Sequence, residues 1–186
     1  MGKKPGELIM NYDALIIVDM QTALVEAEPY NRGTVIENIK VLLDSCRKKG
    51  LPIIYIQHDG GNGDELEHGS IGWTIYKEIA PMPDEKIFEK QYNSAFRKTG
   101  LHEYLQEMGI KNIILCGMQT EYCLDVTCKV AFEYEYGVTI PQSTTTTFDN
   151  AFASGKDLSE YYENKIWNNR YAQVTSMEQV LKLIEG

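Results

Sequence analysis

Residues 112–123 read Asn-Ile-Ile-Leu-Cys-Gly-Met-Gln-Thr-Glu-Tyr-Cys. The run Ile113, Ile114, Leu115, Cys116 is apolar without interruption, as a strand buried on both faces must be, and it stops at Gly117. Thr120 stands three residues before Cys123, and the helical pattern of residues 121–136, capped by Thr120, runs on to Gly137. Strand, tight turn and helix in that order make the unit from which parallel α/β sheets are built. The same layout puts a thiol in the first turn of a helix. There the macrodipole favours the thiolate, so the spacing predicts a depressed pKa for Cys123 and makes it a candidate nucleophile.

The alternation continues in both directions. Ala14 to Val18 is a second continuous apolar run, ending at Asp19. Val35, Ile36, Ile39, Leu42, Leu43 and Cys46 follow the 3.6-residue period, which predicts a helix over 34–49 with Thr34 and Glu37 as a capping box and Gly50 as its stop. Leu51 to Gln57 reads as a strand, since Pro52 is tolerable only at its start. Ile87 to Glu89 is a short strand ending at Lys90, and Leu101, Tyr104, Leu105 and Met108 give a short helix closed by Gly109. Val138 to Ile140 is the fifth strand. After a Thr-rich loop come a helical stretch, a sixth strand near Tyr171 to Val174 and a last helix around Met177 to Ile184. This order predicts an α/β fold, a three-layer αβα sandwich whose mostly parallel sheet of about six strands carries helices on both faces. No linker or repeat divides the chain, so residues 1–186 are expected to form one domain. The stretch His58 to Lys86, rich in Gly and Pro with one helical turn near Tyr76, is too long for an idle connection and reads as a pocket wall or lid.

Composition narrows the function. A net charge of −9 without a basic stripe argues against nucleic acid as a partner. No apolar run reaches the length of about 18 residues that a membrane helix needs, and residues 1–12 lack the apolar core of a signal peptide and a myristoylation pattern, so a cytoplasmic protein is expected. The four cysteines contain no Cys-x-x-Cys pair, which speaks against zinc and dithiol chemistry. Cys46, Cys116 and Cys128 fall where small buried hydrophobes are expected.

In open parallel sheets, ligands bind beyond the carboxyl ends of the strands. Asp19 follows the first strand, Lys90 the third, and Cys123 the fourth after a turn, so the topology brings a carboxylate, an ammonium and a thiol to one sheet edge. A thiol needs a base, and Asp19 is the acid placed to serve. Lys90 would hold carboxylate and sulfur in the right charge states. Amides of the 117–123 turn would supply the oxyanion donors. His58 ends the second strand, His68 lies in the long loop and His102 in a helix, so none is an evident base.

These residues resemble the isochorismatase-like cysteine hydrolases, the family that includes nicotinamidase and N-carbamoylsarcosine amidohydrolase. The resemblance rests on Leu-Ile-Ile-Val-Asp-Met-Gln (15–21), Tyr-Ile-Gln-His-Asp (55–59), Glu-Lys-Gln-Tyr-Asn-Ser-Ala-Phe (89–96) and Cys-Gly-Met-Gln-Thr-Glu-Tyr-Cys (116–123). It implies a catalytic triad of Asp19, Lys90 and Cys123, and a cis peptide between Met118 and Gln119 that aims the Gln119 N–H, with that of Cys123, at the oxyanion. Gln21, His58, Trp73, Ser94 and Phe96 would then line the substrate pocket. Nicotinamidases carry an Asp-x-His pair and further histidines that bind a metal. Here Gln57 and Asp59 stand in that pair, so neither metal nor cofactor is expected. Retention of Cys123 favours cleavage of a C–N bond, amide or ureido, in a small molecule. Vinyl-ether hydrolysis of the isochorismatase kind is the alternative on the same scaffold. An aspartyl-nucleophile phosphatase would need a second acid where Gln21 stands, and a binding module that merely kept the fold is a further alternative. The resemblance also implies a homo-oligomer, dimer or tetramer.

Overall fold

The computed structural model describes residues 11–186, so the reading of the extreme N-terminus as leaderless lies outside the described residues. Among the described residues, seven strands form one sheet: β1 (Ala14–Val18), β2 (Ile53–His58), β3 (Lys86–Lys90), β4 (Asn112–Met118), β5 (Gly137–Pro141), β6 (Thr145–Thr146) and β7 (Gln173–Thr175). Their order is β3-β2-β1-β4-β5-β7, with the two-residue β6 beside the end of β4, and every pairing between them is parallel. The chain therefore steps outward from β1 to β3, then restarts on the other side of β1 with β4. The change of direction between β1 and β4 is the crevice where such sheets take their ligands.

Successive side chains of a strand face opposite ways, and both faces are dry. Leu15 and Ile17 join Ile53, Tyr55, Ile114 and Cys116 in one core cluster; Ala14, Ile16 and Val18 join Ile54, Ile56, Ile113 and Leu115 in the other. The first face is covered by α2 (Arg32–Lys49), through Val35, Ile36, Ile39, Leu42, Leu43 and Cys46, and by α6 (Met177–Glu185), through Val180 and Ile184. The second is covered by α3 (Leu101–Glu107) and α4 (Asp125–Glu133), with Trp167 buried against them. This is the three-layer arrangement expected from the sequence. A short helix, α1 (Thr22–Glu26), follows β1, and α5 (Gly155–Tyr161) precedes a wide helical turn, Tyr162–Trp167.

Two helix starts differ from expectation. α2 begins at Arg32, after Asn31 in a left-handed conformation (φ 53°), so Thr34 is already inside the helix and Glu37 turns to Lys40 at 2.8 Å instead of capping. The segment after β4 begins with a π-helical turn, Thr120–Leu124, and α4 ends at Glu133. Thr120 does not cap it: the residue is buried, and its hydroxyl has no hydrogen-bond partner among the described residues. Gly50 closes α2 as expected, at φ 71°.

At Gly117 the fold needs the absence of a side chain. The residue pairs with Val18 across the sheet at φ 120°, and a Cβ there would lie 2.1 Å from the Val18 carbonyl oxygen. That close approach brings the carboxyl ends of β1 and β4 together.

Candidate active site

β1 stops because Asp19 leaves the strand conformation. Its φ of 51° lies in the left-handed region, which Asp tolerates better than most residues. The turn is held by the Asp19 N–H donating to the Ile56 carbonyl at 3.0 Å and by the Gln21 N–H donating back to the Asp19 carbonyl at 2.8 Å. Lys90 is the last residue of β3, two strands away, and its long stem crosses beneath the end of β2 to reach the crevice. Cys123 sits in the π-helical turn after β4.

The three side chains meet. The Lys90 ammonium donates to Asp19 Oδ2 at 2.7 Å and to Cys123 Sγ at 3.2 Å, and it lies 3.1 Å from His58 Nδ1. Both members of the Asp19–Lys90 pair are buried. An ammonium has three N–H donors and no lone pair, so His58 Nδ1 accepts and the neutral ring carries its proton on Nε2. His58 is held neutral in another way too: burial lowers its pKa, and the neighbouring Lys90 charge lowers it further. The second carboxylate oxygen, Asp19 Oδ1, is buried without a hydrogen-bond partner among the described residues. Asn93 Oδ1 faces the sulfur from 3.9 Å on the more exposed side.

The thiol corrects one expectation. Its pKa is not depressed but pushed up to about 12. Burial is the largest cause and the Asp19 charge adds to it, while Lys90 pulls only partly the other way. Desolvation and a nearby anion thus outweigh the partial charge of a helix start. At neutral pH Cys123 therefore rests as a thiol, and any attack by its sulfur would need an acceptor for the proton. The remaining cysteines, Cys46, Cys116 and Cys128, are buried and free.

The long loop is tied to the carboxyl ends of β1 and β2. Gln21 is fully buried and serves as a clamp: its carboxamide donates to the His58 carbonyl at 2.9 Å and to the Trp73 carbonyl at 2.8 Å, and accepts from the His58 N–H at 2.8 Å. Gln57 donates to the same Trp73 carbonyl at 2.7 Å. The Thr22, Ala23 and Tyr76 amides add backbone bonds to Thr74, Gly72 and Met20. Trp73 is half-buried with its ring 4.4 Å from that of His68, whose Nε2 pairs with Glu89 at 3.5 Å. Ser94 accepts the Phe96 amide, and Phe96 packs on Tyr134 and Tyr136 in the second core cluster, so both have structural partners. The Met118–Gln119 peptide is cis.

Sequence reasoning gave no role to Asn93, although it lies three residues after Lys90 within the 89–96 motif. It also did not assign the contact of His58 with Lys90, which depends on the pairing of β2 with β3 in the register His58↔Lys90.

Comparison with known proteins agrees with this geometry. The model of the isochorismatase domain matches residues 13–179. A streptothricin hydrolase of Streptomyces noursei is 30% identical over 150 residues, 79% of this chain and 53% of its own length, so the chain spans about half of that relative. Nicotinamidase 3 of Arabidopsis thaliana is 32% identical over 152 residues, covering 73% of this chain and 74% of the plant protein. The crystal structure of an isochorismatase from Pseudomonas putida superposes with a TM-score of 0.86 at 27% identity, covering 92% of this chain and 91% of that one. With the fold, the crevice and the family model in agreement over nearly its whole described length, this chain belongs to the isochorismatase-like hydrolase family.

Proposed function

We propose that the protein hydrolyses a C–N bond, amide or ureido, in a small molecule through a covalent thioester on Cys123. The observation that carries this reading is the single ammonium bridging Asp19 at 2.7 Å and the sulfur at 3.2 Å. Asp19 takes the thiol proton as Sγ attacks the carbonyl carbon. The charge that develops on the carbonyl oxygen is met by the backbone N–H groups of Gln119 and Cys123. Asp19 then returns the proton to the leaving nitrogen as the C–N bond breaks. A water molecule, deprotonated by the same carboxylate, cleaves the thioester, and the proton goes back to sulfur. Lys90 donates to Asp19 Oδ2 throughout, and its ammonium supplies the positive charge at the centre of the site. Asp19 Oδ1, without a hydrogen-bond partner among the described residues, suits the shuttle, since it can accept a proton without displacing the Lys90 hydrogen bond to Oδ2.

Two of the relatives, by name a nicotinamidase and a streptothricin hydrolase, support hydrolysis of this general kind. The test is a panel of small amides, carbamoyl compounds and isochorismate, assayed with wild type, Cys123→Ala and Asp19→Asn. Loss of turnover in both variants, with an acyl adduct on Cys123 seen by mass spectrometry, supports the proposal. Near wild-type amide hydrolysis by Cys123→Ala refutes it, and isochorismate turnover that survives Cys123→Ala but not Asp19→Asn moves the assignment to vinyl-ether chemistry. A homo-oligomeric assembly belongs to the same proposal. Phe152 and Ile71, 98% and 82% exposed, are side chains that assembly would cover, and sedimentation velocity reads the outcome.

A further inference from the structure

We infer that Asp19, His58 and Cys123 form a latent site for a thiophilic divalent cation such as Zn²⁺ or Co²⁺, closed in the resting protein by the Lys90 ammonium and inhibitory when filled. One ligand atom from each of the three residues lies within 4.8 Å of the others. A carboxylate oxygen, an imidazole nitrogen and a sulfur make a donor set that suits zinc or cobalt and suits magnesium or calcium poorly. The imidazole already faces the centre with its lone pair, because Nδ1 accepts from Lys90. The position between the donors is now held by a cation, with contacts of 2.7, 3.1 and 3.2 Å. A metal ion in the same place would sit about 2.0–2.3 Å from them, so each donor closes by roughly 0.7–1 Å.

A second observation points to a ligand independently. Asp19 Oδ1 is buried on a residue only 2% exposed, yet it has no hydrogen-bond partner among the described residues. That lone pair can serve a metal even while Oδ2 turns. His68, the other imidazole of this region, is held by Glu89 and Trp73, so the fourth position is left to water. On binding, the thiol proton passes to solvent, the sulfur becomes a thiolate ligand, and the ammonium is pushed from the centre. Lys90 is thus a gatekeeper. Removing its charge opens the position and leaves the Asp19 carboxylate without a counterion, which favours the metal on both counts.

The experiment titrates Co²⁺ into the purified, metal-free protein and follows the thiolate-to-cobalt charge-transfer band in the near ultraviolet, with no substrate present. Because binding is read directly, failure here is separate from failure of the hydrolase proposal. Wild type is expected to develop the band below about 1 mM Co²⁺, and Zn²⁺ is expected to erase it and to protect Cys123 from alkylation. Cys123→Ser should lose the band, which excludes the other cysteines, and His58→Asn should weaken binding at least tenfold. Lys90→Met should bind at least tenfold more tightly than wild type. No band in wild type up to millimolar Co²⁺, or a band unchanged in His58→Asn, overturns the inference. Should circular dichroism show Lys90→Met unfolded, the other three proteins still decide it.

Discussion

Replacing Asp19 by Asn should move two readouts of Cys123 in opposite directions. Asn fits the φ of 51° as well as Asp does, and it keeps the shape of the side chain while deleting its charge. The ligand atoms of Asp19 and Cys123 lie within 4.8 Å of each other. At that separation and an effective dielectric near 20, one unit charge is worth about 3.5 kcal/mol, or about 2.5 pH units on the thiol. The carboxylate raises the thiol pKa, so its removal lowers it; burial, the larger cause, is unchanged, and Lys90 then acts unopposed. Allowing for some relaxation, the midpoint of the pH–alkylation curve should fall by about two pH units from its wild-type position near 12, giving roughly a hundredfold faster labelling by iodoacetamide at pH 8. Turnover should meanwhile fall by about 10²–10⁴, because the proton acceptor is gone. The assay is peptide-resolved mass spectrometry across a pH series, with the buried Cys46, Cys116 and Cys128 as internal controls. A midpoint that stays put or rises, in a variant shown to be folded, would refute the claim that Asp19 sets the charge state of the sulfur.

Other outcomes follow from the packing. Gly117→Ala places a methyl group 2.1 Å from the Val18 carbonyl oxygen at a φ of 120°, and urea denaturation should show a loss of at least about 3 kcal/mol; a change within 1 kcal/mol would contradict the close approach. Gln21→Leu removes the three bonds to His58 and Trp73, so proteolysis within residues 59–85 should speed up while far-ultraviolet circular dichroism is kept, with a stability cost of about 1–3 kcal/mol. Glu163 has its pKa raised by burial, so the folded state binds its proton more tightly than the unfolded state does. Its contribution to stability is complete below the ordinary value of 4.5 and is lost as pH climbs past it, and Glu163→Gln should flatten that part of the stability–pH curve, measured by thermal melts from pH 4 to 8.

The sheet was legible because its strands are dry on both faces: runs such as 14–18 and 113–116 can hardly be anything else. The strand-end residues were legible because the topology puts all carboxyl ends on one edge, whatever the crossing helices look like. Other features had no local signature. α1, five residues long, is too short to show a period, and β6 is two residues taken from a Thr-rich loop. The start of α2 turns on a left-handed Asn31. The clamp made by Gln21 had no local signature either, because its partners lie 37 and 52 residues further along the chain and only the closed sheet brings them to it. The thiol pKa is not legible for a physical reason: sequence reveals the helix start near Cys123 and brings Asp19 to the same edge, but it does not reveal the depth of burial, the largest cause of the upward shift.

The grip of Gln21 and Gln57 on the loop is a grip on main chain. Both carboxamides hold the carbonyl of Trp73, an atom that every residue type carries. The side chain at 73 can therefore be exchanged without removing the bonds that anchor the loop. Variation at that position leaves the fastening intact, and with it the arrangement of Asp19, Lys90 and Cys123.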